Sequence, residues 1–218
     1  MVNQLSSFRS FVAATCVALA GCASSNVPTG EWHFDEFEIG MLPSGWSVDA
    51  TNAGDATAMW YVFDEAGNHA IRVATKNSGQ TYNILFAPGK FTADVDLHVR
   101  LRPDTGQEDQ GGGIVWRAKD ASNYYVTRWN PLEDNLRVYK VVDGVRTQLA
   151  SADVKVEPTW HALRVLARGT SIEIEFDGRR VLQLDDTTFS NGGHVGFWTK
   201  ADACSLFDDF VVREVRSS

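Results

Sequence analysis

The sequence predicts an all-β protein built as a two-sheet antiparallel β-sandwich. Apolar and polar residues alternate through most of its second half, which is the pattern of strands with one buried face. Asp143-Gly144 and Asp177-Gly178 separate alternating segments, and such pairs favour two-residue hairpin turns because glycine readily takes a positive φ. No convincing apolar stripe of helical period accompanies them. Many short antiparallel strands without helices between them indicate a sandwich.

The clearest strand is predicted at residues 94–102, where Val95, Leu97, Val99 and Leu101 alternate with charged or polar residues. One face of this strand should be buried and the other hydrated. The remaining predicted strands, in order, are 59–64, 69–75, 82–87, 112–118, 123–130, 135–142, 146–151, 161–168, 171–177, 179–184, 193–199 and 206–213.

The N-terminus predicts a targeting segment. The apolar run at residues 11–20 is shorter than the ~20 residues that span a bilayer, and it suits a signal peptide. It ends in Leu19-Ala20-Gly21-Cys22, which resembles the bacterial lipobox and implies lipidation of Cys22. We therefore expect a signal peptide at 1–21, a lipidated Cys22 with a flexible tether over 22–30, and one domain over 31–218. The resemblance implies a membrane-anchored bacterial lipoprotein, and Ala23 favours the outer membrane.

The charge of the chain limits the kinds of ligand it is expected to bind, and its cysteine content limits its disulfides. Removal of residues 1–21 removes one base, Arg9, and no acid, so the net charge changes from −8 to −9. An acidic surface repels phosphate backbones, so we expect no nucleic-acid partner. Anionic polysaccharide is disfavoured for the same reason, unless arginines are concentrated in one cleft. With Cys16 in the signal and Cys22 lipidated, Cys204 is left without a disulfide partner.

Several segments together resemble the concanavalin A-like lectin/glucanase superfamily, especially family-sixteen-like glycoside hydrolases and 3-keto-disaccharide hydrolase-like domains of bacteria. The resemblance covers roughly residues 31–215 and implies a jelly roll with an oligo- or polysaccharide ligand. The segments that carry it are Phe37 to Trp46, Gly112 to Arg117, Asn123 to Tyr125, Leu132 to Asn135, Tyr139 to Gly144, Trp160 to Gly169, Phe176 to Gly178, Gly196 to Asp202 and Phe207 to Phe210.

Strand parity predicts a polar, aromatic face across residues 112–142. Arginine forks suit hydroxyl groups and aromatic rings suit sugar rings, so this face is a candidate for sugar binding. A hydrated outer face, with arginine stems over tyrosine rings, is the alternative interpretation. We expect that Arg117 and Arg128 can be truncated with little loss of stability. The candidate ligand-binding residues are Arg117, Tyr124, Arg128, Asn130, Glu133, Arg137, Tyr139, Lys200 and Asp202.

Sequence motifs for catalysis and for metal binding are weaker than those for the fold. The chain lacks the Glu-x-Asp-x-x-Glu spacing of family-sixteen glycosidases, a Gly-x-Ser-x-Gly elbow and a His-Glu-x-x-His motif, so the catalytic residues are unknown. Glu173, Glu175 and Asp177 alternate with apolar residues and favour a hydrated face. The superfamily resemblance implies a structural Ca²⁺, because hard cations prefer oxygen donors. Its candidate ligands are Asp35, Glu36, Asp208 and Asp209.

Three functions remain open from the sequence. The first is an envelope-anchored, lectin-like module without catalysis, which the missing acid pair favours. The second is a stand-alone hydrolase or lyase acting on glycosides, whose site would lack paired carboxylates and use residues such as Tyr139 and Lys200. The third is a structural role in the envelope.

Overall fold

The computed structural model describes residues 29–54 and 57–215, and all regular elements in these ranges are strands. The predicted signal peptide, Cys22 and most of the tether lie outside the described residues. The described ranges contain no apolar helix of membrane-spanning length.

Fifteen strands form the fold. They are β1 (Gly30–Trp32), β2 (Ser47–Thr51), β3 (Met59–Glu65), β4 (Asn68–Ala74), β5 (Tyr82–Phe86), β6 (Val95–Thr105), β7 (Gly112–Asp120), β8 (Asn123–Asn130), β9 (Asn135–Val142), β10 (Val145–Asp153), β11 (His161–Arg168), β12 (Ser171–Phe176), β13 (Arg179–Asp185), β14 (His194–Lys200) and β15 (Cys204–Glu214). The sequence predicted thirteen of them, and the short β1 and β2 were not foreseen.

The strands make two antiparallel sheets. One has the order β13-β12-β11-β6-β15-β4-β3, with β1 also paired to β15, and the other has the order β10-β9-β8-β7-β14-β5-β2. The predicted fold class, a two-sheet antiparallel jelly-roll sandwich, is confirmed. Both predicted Asp-Gly turns join neighbouring strands, and Asp143, Gly144, Asp177 and Gly178 all have positive φ.

The main core lies between the sheets. Val95, Leu97, Val99 and Leu101 of β6 are buried there, so the alternation predicted for this strand is confirmed. The opposite face of the eight-stranded sheet carries ion pairs, including Arg164 with Asp96 and Glu175. This face is the hydrated side expected of an antiparallel sheet.

The outer face of the seven-stranded sheet is different, because it holds a second buried cluster. Its members include Tyr82, Val115, Tyr124, Val126, Tyr139 and Trp198. Their burial follows from strong curvature of the sheet. Thr51 Oγ1 of β2 and the Tyr124 hydroxyl of β8 share a hydrogen bond of 2.8 Å, although β7, β14 and β5 separate the two strands. We call this curved surface the concave face.

Two hairpin turns close one end of the concave face. Thr51 Oγ1 donates to the carbonyl of Ala121 in the β7–β8 turn at 2.5 Å. Asn52 Nδ2 donates to the carbonyl of Gly144 in the β9–β10 turn at 3.0 Å. The two turns therefore cover the aromatic cluster, and the polar residues of β8, β9 and β14 lie toward the opposite, open end.

Candidate functional site

A charged cluster lies at the open end of the concave face, around Arg128 and Asp109. Arg128 Nη1 donates to both carboxylate oxygens of Asp109 at 2.9 and 3.1 Å. Lys200 Nζ lies 3.0 Å from Asp109 Oδ2, and Asn130 Nδ2 donates to Oδ1 at 2.9 Å. Arg128 and Asp109 are only 1% and 2% exposed. Burial of charges is costly unless they are paired and hydrogen-bonded, and here each charge has such partners.

Glu133 extends this cluster toward solvent. Its Oε2 accepts hydrogen bonds from Arg128 Nη2 at 3.0 Å, Asn135 Nδ2 at 3.0 Å and Arg137 Nη1 at 2.7 Å. No donor within the described ranges contacts Oε1, and 43% of the side chain is exposed. Glu133 therefore presents one accessible acceptor oxygen beside the Arg137 guanidinium. We call Asp109, Arg128, Asn130, Glu133, Asn135, Arg137 and Lys200 the polar cluster.

The neighbouring groups in the polar cluster shift the pKa values of Glu133 and Arg137. Burial alone would raise the pKa of Glu133, but the hydrogen bond from Asn135 and the charge of Arg128 outweigh it and lower the pKa below its usual value. Glu133 is therefore an anionic acceptor at neutral pH. A hydrogen bond with the Tyr139 hydroxyl raises the pKa of Arg137, which ties the exposed end of the cluster to the aromatic residues beside it.

The local backbone explains how these residues meet. Gly113 of β7 pairs with Arg128 on one side and with Trp198 on the other. A Cβ at Gly113 would lie 1.8 Å from the carbonyl oxygen of Thr127, so the position requires glycine and no side chain separates the two neighbours. The glycine at this position thus allows close strand pairing.

Asp202 has a supporting role. Its carboxylate accepts hydrogen bonds from the backbone amides of Gln107, Glu108 and Asp109 at 2.7 to 3.1 Å. These bonds hold the loop between β6 and β7, and they outweigh the effect of burial and lower the pKa of Asp202. Asp202 therefore positions Asp109 against Arg128.

Arg117 is not on the concave face, and the parity argument was wrong for it. The residue has a φ of 48° at a register shift in β7, which redirects its side chain. The guanidinium donates to the carbonyls of Ala93, Phe189 and Gly169 at 2.8 to 3.0 Å. It borders a hollow of about 370 Å³ that also includes Lys90 and Lys119, but each of its three nitrogens already donates to a carbonyl. The prediction that Arg117 and Arg128 can be truncated freely also disagrees with the structure, since both are buried and bonded.

Tyr124 and Tyr139 lie on the concave face, as parity predicted. Tyr124 is fully buried, and its hydroxyl bonds Thr51 and accepts from Trp198 Nε1 at 3.1 Å. Burial raises the pKa of Tyr124 above its ordinary value. This residue belongs to the closed end and is not accessible to a ligand. Tyr139 lies beneath the guanidinium of Arg146, 4.4 Å from the ring centroid.

Asp109 and Arg146 were missed by the sequence analysis. Asp109 lies in an irregular loop, and only its contacts across the fold bring it to Arg128. Arg146 was inside a predicted strand, but its position over rings of β5, β9 and β14 depends on the curvature of the sheet. The alternation of residues along β10 does not predict that contact.

The proposed calcium ligands do not form one ligand set. Asp209 bonds His33 at 2.7 Å and Arg100 at 3.1 Å, whereas Asp35 accepts from the His69 amide. Asp208 accepts from Asn68 Nδ2 at 3.0 Å, and burial raises its pKa. Within residues 29–54 and 57–215, no group of three or more His, Cys, Asp or Glu side chains is placed to hold a metal ion. The expected set, which also included Glu36, is therefore not brought together in the described residues.

Comparisons with known proteins address the fold. No family model matches the chain, and no curated protein matches it. Among solved structures, the carbohydrate-binding module CBM66 from Bacillus subtilis is similar with a TM-score of 0.65 and 19% identity, covering 78% of this chain and 96% of the module. A cellulose-induced protein is similar with a TM-score of 0.60 and 13% identity, covering 86% and 98% of the two chains.

A longer protein shows the same similarity. The GH43 BlXynB protein from Bacillus licheniformis matches with a TM-score of 0.59 and 16% identity, covering 88% of this chain and 40% of that protein. These matches and the sheet topology define a jelly-roll β-sandwich. The resemblance found in the sequence is thus confirmed at the level of the fold.

Proposed function

We propose that this protein binds carbohydrate at the open end of its concave face. The observation that carries the proposal is the polar cluster, in which buried Arg128 and Asp109 hold the half-exposed Glu133. A buried ion pair is weak evidence for stability, since apolar residues often serve a fold equally well. A set of fixed charges under an accessible acceptor instead suits recognition of a polar ligand.

The chemistry of the exposed groups fits sugar hydroxyls. Glu133 Oε1 can accept a hydrogen bond from a hydroxyl, and the Arg137 guanidinium can donate to the next oxygen. Both groups are held by neighbours before a ligand arrives, which reduces the entropy lost on binding. The similarity to CBM66 and to the GH43 protein supports a carbohydrate ligand by analogy of fold, and the residues of the polar cluster supply the specific argument.

The geometry favours binding over glycoside cleavage. A glycosidase of the usual kind needs one carboxylic acid that is protonated and one carboxylate that is not. Glu133 has a lowered pKa, which is unsuited to a general acid. Asp109 is buried beneath Arg128 and Lys200. The acidic row of β12 is also engaged elsewhere, because Glu173 pairs with Arg180 and Glu175 with Arg164.

We further propose that the domain is carried on the bacterial envelope by a lipid on Cys22. Support comes from Leu19-Ala20-Gly21-Cys22 and the short polar segment that follows it. Residues 23–28 would connect this lipid to Thr29, whose amide bonds the Val212 carbonyl at the start of the described sandwich. A module held in this way would capture glycans close to the membrane surface.

An oligosaccharide array followed by calorimetry tests the binding proposal. Arg137→Gln and Glu133→Gln each remove one exposed charge while Arg128, Asp109 and Asn135 stay in place. The loss of a charge-assisted hydrogen bond should weaken binding roughly 10- to 100-fold, with little change in Tm. Arg180→Gln and Glu173→Gln are matched controls, because this exposed pair on the other sheet has a similar separation of 3.2 Å.

Two results decide between the possibilities. Equal affinity in all four variants, or no binding to any array glycan by the wild type, would contradict the proposal. Cleavage of a bound oligosaccharide during prolonged incubation would show that the protein is an enzyme instead of a binding module.

A further inference from the structure

Arg146 is held over three aromatic rings on the concave face. Its guanidinium carbon lies 4.4 Å from the ring centroid of Tyr139, 5.1 Å from that of Tyr82 and 5.8 Å from that of Trp198. Tyr82, Tyr139 and Trp198 are themselves almost fully buried. The rings therefore form a rigid support, and cation–π attraction fixes the position of the guanidinium.

The charge of Arg146 is not neutralised by a carboxylate. The other cations on this face each have one: Arg128 and Lys200 pair with Asp109, and Arg137 pairs with Glu133. In the described part of the chain, Arg146 makes no ion pair and no hydrogen bond, and its enclosed Nη1 is left without an acceptor. The aromatic rings attract the cation but carry no net charge, so a partly exposed positive charge remains.

A second guanidinium lies beside the same tyrosine. Arg137 interacts with the Tyr139 hydroxyl, whereas Arg146 lies over the Tyr139 ring. A ligand bound to Arg137 and Glu133 would therefore extend toward Arg146. The planar fork of a guanidinium matches the two oxygens of a carboxylate better than it matches a single hydroxyl.

We propose that the ligand is an acidic oligosaccharide, and that Arg146 binds the carboxylate of a uronate residue. This inference rests on the proposed carbohydrate site and names its ligand class. The net charge of −8 over the full sequence disfavours a long polyanion lying across the surface. A short or chain-terminal uronate avoids that repulsion, because its charge is confined to the region of Arg146 and Arg137.

Matched pairs of acidic and esterified oligosaccharides test the inference. Tetragalacturonate and a glucuronate-bearing xylo-oligosaccharide are compared by calorimetry with their methyl esters, which keep the shape of the sugar but lose the charge. At least one acid should bind roughly 10- to 100-fold more tightly than its ester, the range expected for a charge-assisted hydrogen bond. Higher salt should reduce this preference.

Three variants locate the effect. Arg146→Gln should abolish the preference for the acid, and Arg146→Lys, which keeps a point charge without the fork, should retain part of it. Arg179→Gln removes an exposed arginine from β13 in the opposite sheet and should behave like the wild type. Thermal melting of each variant shows whether the aromatic support is intact, and Arg146→Lys covers the case in which glutamine disturbs it.

The outcomes separate this inference from the proposal it rests on. If neutral oligosaccharides bind and no acid exceeds its ester, the uronate inference fails while the carbohydrate site stands. If folded Arg146→Gln keeps the full preference, Arg146 is not the carboxylate partner. Absence of binding to acidic, esterified and neutral sugars alike would overturn both.

Discussion

Thr51 Oγ1 and the Tyr124 hydroxyl lie 2.8 Å apart, although three strands separate β2 from β8 in the sheet. This contact requires the sheet to curl until its two halves meet across the concave face. The closed end that results buries Tyr124 and Trp198. Glu133 and Arg137 at the open end stay at least partly accessible, and so does Arg146 above the aromatic rings, so the curvature determines which polar residues can meet a ligand.

Asp109→Ala should destabilise the protein by about 3–5 kcal/mol, because it removes the buried carboxylate that both Arg128 Nη1 and Lys200 Nζ contact. Denaturant unfolding measures this free energy. Glu38→Ala is the control, since this exposed carboxylate makes no hydrogen bond or ion pair within the described ranges, and its effect should stay within about 0.5 kcal/mol. Equal stability of the two variants would mean that the Arg128–Asp109 pair is not the buried centre of the cluster.

Arg117→Ala should cost at least about 3 kcal/mol of unfolding free energy, since its guanidinium satisfies three carbonyl groups in a buried position. Glycan affinity of the folded fraction should remain that of the wild type, because the side chain lies outside the concave face. Chemical unfolding and calorimetry on the same preparation provide both values. If the variant is stable but binds glycan more weakly, Arg117 belongs to the ligand site after all.

Acid should destabilise the fold through Asp186. Burial alone would raise its pKa, but hydrogen bonds from Thr188, Tyr125 and Lys140 outweigh it and lower the pKa to about 2 from 3.8. A carboxylate with a lowered pKa in the folded state contributes stability above its unfolded pKa, and this contribution is lost as pH falls from about 4 to about 2. It amounts to about 2 kcal/mol at neutral pH.

Unfolding curves between pH 7 and pH 2 test this contribution. Asp186→Asn should be less stable than the wild type at pH 7, and the difference should shrink as the pH falls below 4. Asp153→Asn, which removes an exposed carboxylate that makes no hydrogen bond or ion pair in the described residues, should follow the wild-type curve. A constant difference between Asp186→Asn and the wild type at all pH values would refute the assignment.

Cys22→Ser should release the protein from membranes, because the thiol is the site at which the proposed lipid is attached. Fractionation of expressing cells followed by mass spectrometry of the N-terminus measures both location and modification. Ala23→Ser is a suitable control beside it, since it leaves the thiol in place. Membrane retention of Cys22→Ser after signal removal would exclude the lipid anchor.

Local sequence patterns were sufficient to predict the fold. The alternation in β6 and the Asp-Gly turns at 143–144 and 177–178 predicted strands and hairpins correctly, because these features depend on neighbours in sequence. Parity also placed Arg128 and Tyr139 on one face. It failed at Arg117, where a positive φ and a register shift turn the side chain away.

The rest of the candidate site depends on contacts between distant segments. Asp109 reaches Arg128 from a loop that Asp202, 93 residues later, holds through its backbone amides. The position of Arg146 over Tyr82 and Trp198 follows from the curl of the whole sheet. Alternation gives the face of a strand to which a residue belongs, but neither the curvature of that face nor the loops that cover it.

Chemical-shift mapping tests the central claim most directly. Two-dimensional ¹H–¹⁵N spectra are recorded while the strongest oligosaccharide from the array is titrated into the protein. The account predicts that the amides of Glu133, Arg137, Arg146 and Lys200 shift and saturate together, while those of Arg100 and Arg164 on the eight-stranded sheet stay in place. Shifts confined to the hollow of about 310 Å³ that Arg100 and Arg164 line, with the concave face unchanged, would contradict it.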